Sequence, residues 1–188
     1  SRGLGDVYKR QKLHGPKGMG VIAVSRNIKL EPMLHGGGQQ DNFRAGTINM
    51  PGIAGYARAL EVFEESGALE RIEEIKREYL KLLACIDGAH IIGENTAPHI
   101  ICAAFEGVQA SSLQSALEAR GVIVGKGSAC SSRKTKVSQV LSLMKVPAKY
   151  AGGAVRISIG AFNTLQECSH AAGAFEESVN YLRRFIRK

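Results

Sequence analysis

Apolar positions along the chain follow two different periods. Leu69, Ile72, Ile75, Tyr79, Leu82 and Leu83 recur at helical spacing with Glu, Lys and Arg between them, which predicts a long amphipathic helix. Helical pattern already begins near Pro51, a residue suited to a first turn, and Gly67 marks a break between two helices. Beyond Asp87 the elements shorten. Residues 90–93 and 99–105 read as strands, 111–118 as a helix ending at Gly121, 122–124 as a short strand, and 137–144 as a helix. In the strand predicted at 155–159, alternation puts Val155, Ile157 and Ile159 on one face and Arg156 with Ser158 on the other. Thr164, with Glu167 three residues on, opens a last helix whose stripe is Ala171, Phe175, Val179, Leu182 and Ile186. Upstream, 19–25 reads as a strand, 28–34 as a second, and 35–40 as a glycine-rich loop. Strands alternating with helices argue for an α/β or α+β domain.

A boundary is expected between residues 50 and 60. The residues beyond it carry enough apolar faces for a small domain, whereas two strands and a glycine loop make a poor core and should belong to a larger body. The chain has 188 residues, 44% of them hydrophobic, and no apolar run reaches the roughly 18 residues of a membrane-spanning helix. Residues 1–11 lack the apolar stretch of a secretory signal, so a cytoplasmic location and no membrane partner are expected. A net charge of +8 admits anionic partners, but the cluster Arg133-Lys134-Lys136 holds no aromatic residue and Arg183-Arg184-Arg187-Lys188 a single one, Phe185. Stacking on nucleic-acid bases is therefore not indicated. Cys85, Cys102, Cys130 and Cys168 form no C-x-x-C pair, which argues against structural zinc, and a disulfide scaffold does not suit a chain without an export signal.

Four segments stand out as chemical candidates. Lys12 begins Lys12-Leu13-His14-Gly15-Pro16-Lys17-Gly18, a polar turn in which a solvated lysine is the plain reading. Its glycines also permit close approach of a phosphate or ring to a lysine able to hold an aldehyde cofactor. The run from Gly36 to Thr47 is either a flexible turn or, through Arg44 and Thr47, a phosphate contact. Cys130 lies in Gly127-Ser128-Ala129-Cys130-Ser131-Ser132, whose flanks describe an accessible loop, with Lys126, Arg133, Lys134 and Lys136 able to favour the thiolate. Cys85 and Cys102, by contrast, have the apolar neighbours of core residues. Arg156 within its strand either ends a sheet edge or offers a guanidinium fork to a carboxylate.

Taken in order, Lys12-x-x-Gly15-Pro16-Lys17-Gly18, Gly36-Gly37-Gly38-Gln39, Arg44-x-Gly46-Thr47, Gly127-Ser128-Ala129-Cys130-Ser131 and Arg156-x-Ser158-x-Gly160 resemble the cysteine desulfurases of the NifS and IscS type, in the class V aminotransferase family. The resemblance implies an α/β, fold-type-I, aminotransferase-like transferase that depends on pyridoxal 5'-phosphate. This chain would hold the end of the large domain at 12–57 and an α+β small domain at 58–188, with 1–11 a foreign or misassembled segment. Lys12 would hold the cofactor and move the substrate's α-proton. Thr47 would reach the cofactor phosphate of the neighbouring subunit in a homodimer. Cys130 would take sulfur from L-cysteine as a persulfide, leaving L-alanine, and Arg156 would hold the substrate carboxylate. The implied partner is a sulfur acceptor, either an iron–sulfur scaffold or a tRNA-thiolation enzyme. No metal site is implied beyond transient iron–sulfur ligation by Cys130.

The chain departs from the family pattern in places. Gln11 stands where the family has a histidine before the lysine, and Gln40 replaces a commoner glutamate. Residues 1–11 supply no partner for the cofactor's ring, so the chain by itself is expected to lack turnover. Other readings are a selenocysteine lyase or another class V enzyme, a non-catalytic sulfur carrier keeping Cys130, and, more distantly, a basic nucleic-acid-binding module.

Overall fold

The computed structural model describes residues 5–9, 13–93, 97–126 and 139–185. Lys12, Cys130 and Ile186 lie outside these residues. The chain divides into two compact units, Ser1–Gly67 and Ala68–Lys188.

In the first unit, β1 (Gly5–Lys9) pairs antiparallel with β2 (Gly20–Val24), Val7 opposite Ile22. The sequence pattern assigns no element to residues 5–9; the register with β2 supplies one. The expected strand at 28–34 is absent. Ile28 N–H instead closes a turn on the Ser25 carbonyl at 3.0 Å, and Pro32 cannot donate to a ladder. The helix α1 (Met50–Glu65) starts as expected, with Pro51 in its first turn and the Asn49 side chain accepting from Gly52 N–H at 3.0 Å. Gly52 and Gly55 lie one turn apart on α1 and let residues 16–19 approach its backbone. A Cβ at Gly52 would come 2.8 Å from Met19 Cγ, and one at Gly55 2.7 Å from Pro16 Cγ. Apolar side chains remain exposed in this unit, Met33, Leu34, Phe43 and Met50 among them.

The second unit is an antiparallel sheet with two covered faces. Its strands are β3 (Ala89–Ile91), β4 (Ile100–Phe105), β5 (Gly125–Lys126) and β6 (Val155–Ser158), in the order β3-β4-β6-β5. The helices α2 (Ala68–Ala84), α3 (Ala110–Glu118) and α6 (Leu165–Arg183) carry the main core. Ile72, Ile75, Tyr79 and Leu83 of α2 are buried, as are Leu113 and Leu117 of α3 and Phe175 and Val179 of α6. Phe175 sits between rings, 5.6 Å from Phe105 and 6.4 Å edge-on to Tyr79. On the other face Ile92, Ala104 and Ala154 meet Leu141 of α4 (Gln139–Leu143), with Val146 and with Tyr150 of α5 (Ala148–Ala151) packed alongside.

Three expectations change here. Residues 122–124 form no strand, because their backbone groups are used locally. Val122 N–H donates to the Leu117 carbonyl at 2.9 Å, and the Val124 carbonyl accepts from Gln114 Nε2 at 2.9 Å. The ladder begins one residue later, at Gly125. Cys85 is exposed rather than core, since α2 ends at Ala84 and the next turn buries Ile86 instead. Leu69, at the start of α2, is also exposed.

The start of α6 is as the sequence predicts. Thr164 Oγ1 accepts from Glu167 N–H at 3.2 Å while Glu167 Oε2 accepts from Thr164 N–H at 2.9 Å. That backbone donor, with the Asn163 amide, holds the Glu167 carboxyl below its ordinary range. Thr164→Ala should therefore destabilise the protein by about 1 kcal/mol in urea unfolding. A carboxyl depressed in the folded state stabilises above its unfolded value, so the Glu167 share is lost as pH falls through its folded value. Glu167→Gln should flatten that acid limb.

Candidate functional site

The strand β6 positions the first candidate. Its burial alternates, with Val155 and Ile157 turned toward the helices and Arg156 and Ser158 exposed. Antiparallel register sets Arg156 directly opposite Cys102 on β4 and opposite Gly125 on β5. Directly opposed residues share a face, so Cys102, Arg156 and Gly125 form one row across three strands. The face is the one on which α4 and α5 lie, through Leu141 and Tyr150. Segment 127–138 leaves from Lys126 on β5, beside Val155, and ends at Gln139 in α4. Cys130 belongs to this segment, outside the described residues.

The remaining thiols are set by their surroundings. Cys102 is half-buried rather than fully in the core, packed against the cluster of Ile92, Ala104, Leu141 and Ala154. Burial pushes its thiol up, and the Arg156 charge works in the opposite direction. Cys168 is buried on α6, with its sulfur 3.9 Å from the Ile75 carbonyl, and burial pushes its thiol up to about 11. On the same sheet face His90 stacks on Tyr150 with ring centroids 4.3 Å apart, and Lys149 reaches over that ring while pairing with Glu106 at 3.1 Å. The row through Cys102 and the His90–Tyr150 stack are not visible in the sequence, because both depend on register. The alternation of β4 was their one available signal.

Thr47 lies in the first unit, and its loop is folded rather than slack. Gly46 N–H donates to Gln39 Oε1 at 3.0 Å, and Arg44 Nη1 donates to the Thr47 carbonyl at 3.3 Å. Gln40, Asp41 and Asn42 take consecutive left-handed conformations, with φ of 53°, 54° and 67°. Non-glycine residues pay for that conformation, so such turns collect at ligand sites. Thr47 is exposed, and its hydroxyl has no hydrogen bond among the described residues. An exposed hydroxyl next to an arginine fits a phosphate in donor chemistry. A cleft of about 360 Å³ bordered by Lys76, Leu80, Pro98, Ile101 and Cys102 lies at the β3 end of the sheet and includes neither Arg156 nor Lys126. Lys76 there donates to the Ala97 carbonyl at 2.8 Å, and burial lowers its pKa. Among the described residues no cluster of three or more His, Cys, Asp or Glu could hold a metal ion, and no helix is long and apolar enough to cross a membrane.

The model of the aminotransferase class-V family matches residues 7–170. The chain belongs to this family. Its members depend on pyridoxal phosphate, and the match begins inside the segment 1–11 that the motifs leave unmatched. The chain is 36% identical over 175 residues to a NifS/IcsS protein homolog of Lactobacillus delbrueckii subsp. bulgaricus, covering 90% of this chain and 46% of the relative. It is 33% identical over 177 residues to the cysteine desulfurase IscS of Dictyoglomus turgidum, covering 92% and 45%. The solved structure of a NifS-like protein superposes with a TM-score of 0.79 at 31% identity, over 95% of this chain and 46% of that one. The class V chain therefore spans less than half the length of these relatives. The α/β, aminotransferase-like architecture is that of the family.

The described thiols differ in exposure and proton affinity, and alkylation reads both. With iodoacetamide near pH 8, Cys85 should react first, Cys102 more slowly and Cys168 last, as peptide mass spectrometry would show. At that pH a thiol titrating near 11 is thiolate in roughly one molecule per thousand.

Proposed function

We propose that this chain is part of a cysteine desulfurase, which removes sulfur from L-cysteine to give L-alanine and a persulfide on Cys130. The observation that carries the reading is the position of Arg156. It is an exposed cation in the middle of a strand whose other face is core, in one row with Cys102 and Gly125. Relatives named cysteine desulfurase, at about a third identity over nearly the whole chain, support the same reading.

Each residue then has one task. The Arg156 fork donates two hydrogen bonds to the carboxylate of cysteine. Lys12 takes the α-proton of the substrate and protonates the carbon that becomes the methyl of alanine, and a second proton, matching the one the substrate thiol gives up, restores the α-carbon. The Cys130 thiolate attacks the substrate sulfur; an S–S bond forms, the substrate C–S bond breaks, and its electron pair leaves with the alanine portion. The products balance as L-alanine and Cys130–S–SH. Pyridoxal phosphate, when bound, supplies the electron sink for breaking bonds at the substrate's α and β carbons. Lys12 and Thr47 are the residues of this chain that would hold it, Thr47 through the phosphate of the neighbouring subunit in a homodimer. The persulfide passes to an acceptor protein serving iron–sulfur cluster assembly or tRNA thiolation, in the cytoplasm.

In the intact enzyme, Cys130→Ser should abolish alanine and sulfide release while the visible absorbance of bound cofactor persists. Retained turnover, or loss on Cys102→Ser instead, would remove Cys130 from the chemistry. Arg156→Ala should raise the KM for cysteine at least about tenfold, since a charge-assisted fork contributes roughly 1.5–3 kcal/mol. An unchanged KM would make Arg156 structural.

A further inference from the structure

The row Cys102, Arg156, Gly125 is lopsided. On one side of Arg156, Cys102 is half-buried and packed against Ile92, Ala104, Leu141 and Ala154, so the space there is filled. On the other side Gly125 has no side chain, and the guanidinium of Arg156 lies against the place a Cβ would take. A Cβ built on Gly125 would lie 3.3 Å from Nη2, 3.5 Å from Nε and 3.6 Å from Cζ of Arg156. All three atoms belong to the fork, so the planar head itself lies against the β5 backbone.

Gly125 does not hold this position for its backbone. Its φ is outside the left-handed region that favours glycine, and it sits in a ladder with Arg156 where side chains are ordinarily carried. Glycine within a strand weakens it, so the residue costs stability and its return must lie elsewhere. What it supplies is room. A Cβ here would press on the far end of a flexible arginine, which need give only a few tenths of an ångström, while a larger side chain would push the fork further rather than move the fold.

We infer that Gly125 is a positioning residue for Arg156, setting the direction in which the guanidinium meets the substrate carboxylate. The inference rests on the desulfurase reading for the identity of that carboxylate, and on the packing alone for the placement of the fork. Cys102 forms the closed side of the slot and Gly125 the open side. A bidentate hydrogen bond depends on angle, so swinging the fork away weakens carboxylate binding while the charge is retained.

The series Gly125→Ala, Gly125→Val and Arg156→Ala tests this with three readouts. Thermal unfolding of the 188-residue chain should show the Gly125 variants no less stable than the parent, because β-branched residues suit strands. In the same chain, phenylglyoxal should modify Arg156 faster in Gly125→Ala than in the parent and faster still in Gly125→Val, as peptide mass spectrometry would show. In the intact enzyme the KM for L-cysteine should rise in that order, approaching about tenfold for Gly125→Val, with kcat changing much less. An Arg156 modification rate indifferent to residue 125 overturns the inference, whether or not the enzyme desulfurates cysteine. So does a KM raised by Arg156→Ala and untouched by Gly125→Val, which leaves the desulfurase reading intact. Absence of cysteine turnover in the parent enzyme removes that reading instead, and the modification series still decides whether Gly125 places the fork.

Discussion

Pairing β4 with β6 so that Cys102 faces Arg156, and Ile101 faces Ile157, assigns every residue of the two strands to one face or the other. Ile101, Val155 and Ile157 are thereby committed to the helical core, where Phe105 and Phe175 are fully buried. Cys102, Arg156 and Ser158 are committed to the opposite side. A slip of one residue would exchange the two sets, putting a guanidinium into an apolar core and isoleucines beside α4 and α5. The cost of that exchange holds the register, and the register places the only exposed cation of β6 where a ligand can meet it. The fold and the candidate site are thus two results of one set of hydrogen bonds.

Sequence legibility followed the range of the interactions involved. The capping box at Thr164 and Glu167 spans three residues, and the alternation around Arg156 spans five; both were readable because the physics that fixes them is local. Residues 122–124 have the composition of a strand, yet Gln114 and Leu117 take their backbone groups, a competition that composition does not register. Cys85 follows two leucines but falls beyond the end of α2, where the rotation per residue changes and Ile86 turns inward. The Cys102–Arg156–Gly125 row joins residues 54 and 31 positions from Arg156 and could be known only through the sheet. Motif order carried the family where periodicity could not, since spacing between short motifs is kept even when the intervening structure is unreadable.

The two units use glycine to opposite ends. On α1, Gly52 and Gly55 bring residues 16–19 into close contact with a helix backbone. On β5, Gly125 keeps a side chain away so that a neighbour's head group has room. In both places the missing Cβ fixes the position of something else, and in both the stability lost at the glycine is recovered only through that neighbour.

The sheet of the second unit ends on β3, three residues long, and β5, two residues long. A row of unpaired N–H and C=O groups invites strand addition from another chain, and the risk grows with its length. Edges this short present too few groups in register to seat a foreign strand. Among the described residues the four-stranded sheet therefore offers no long edge as a template for cross-β aggregation.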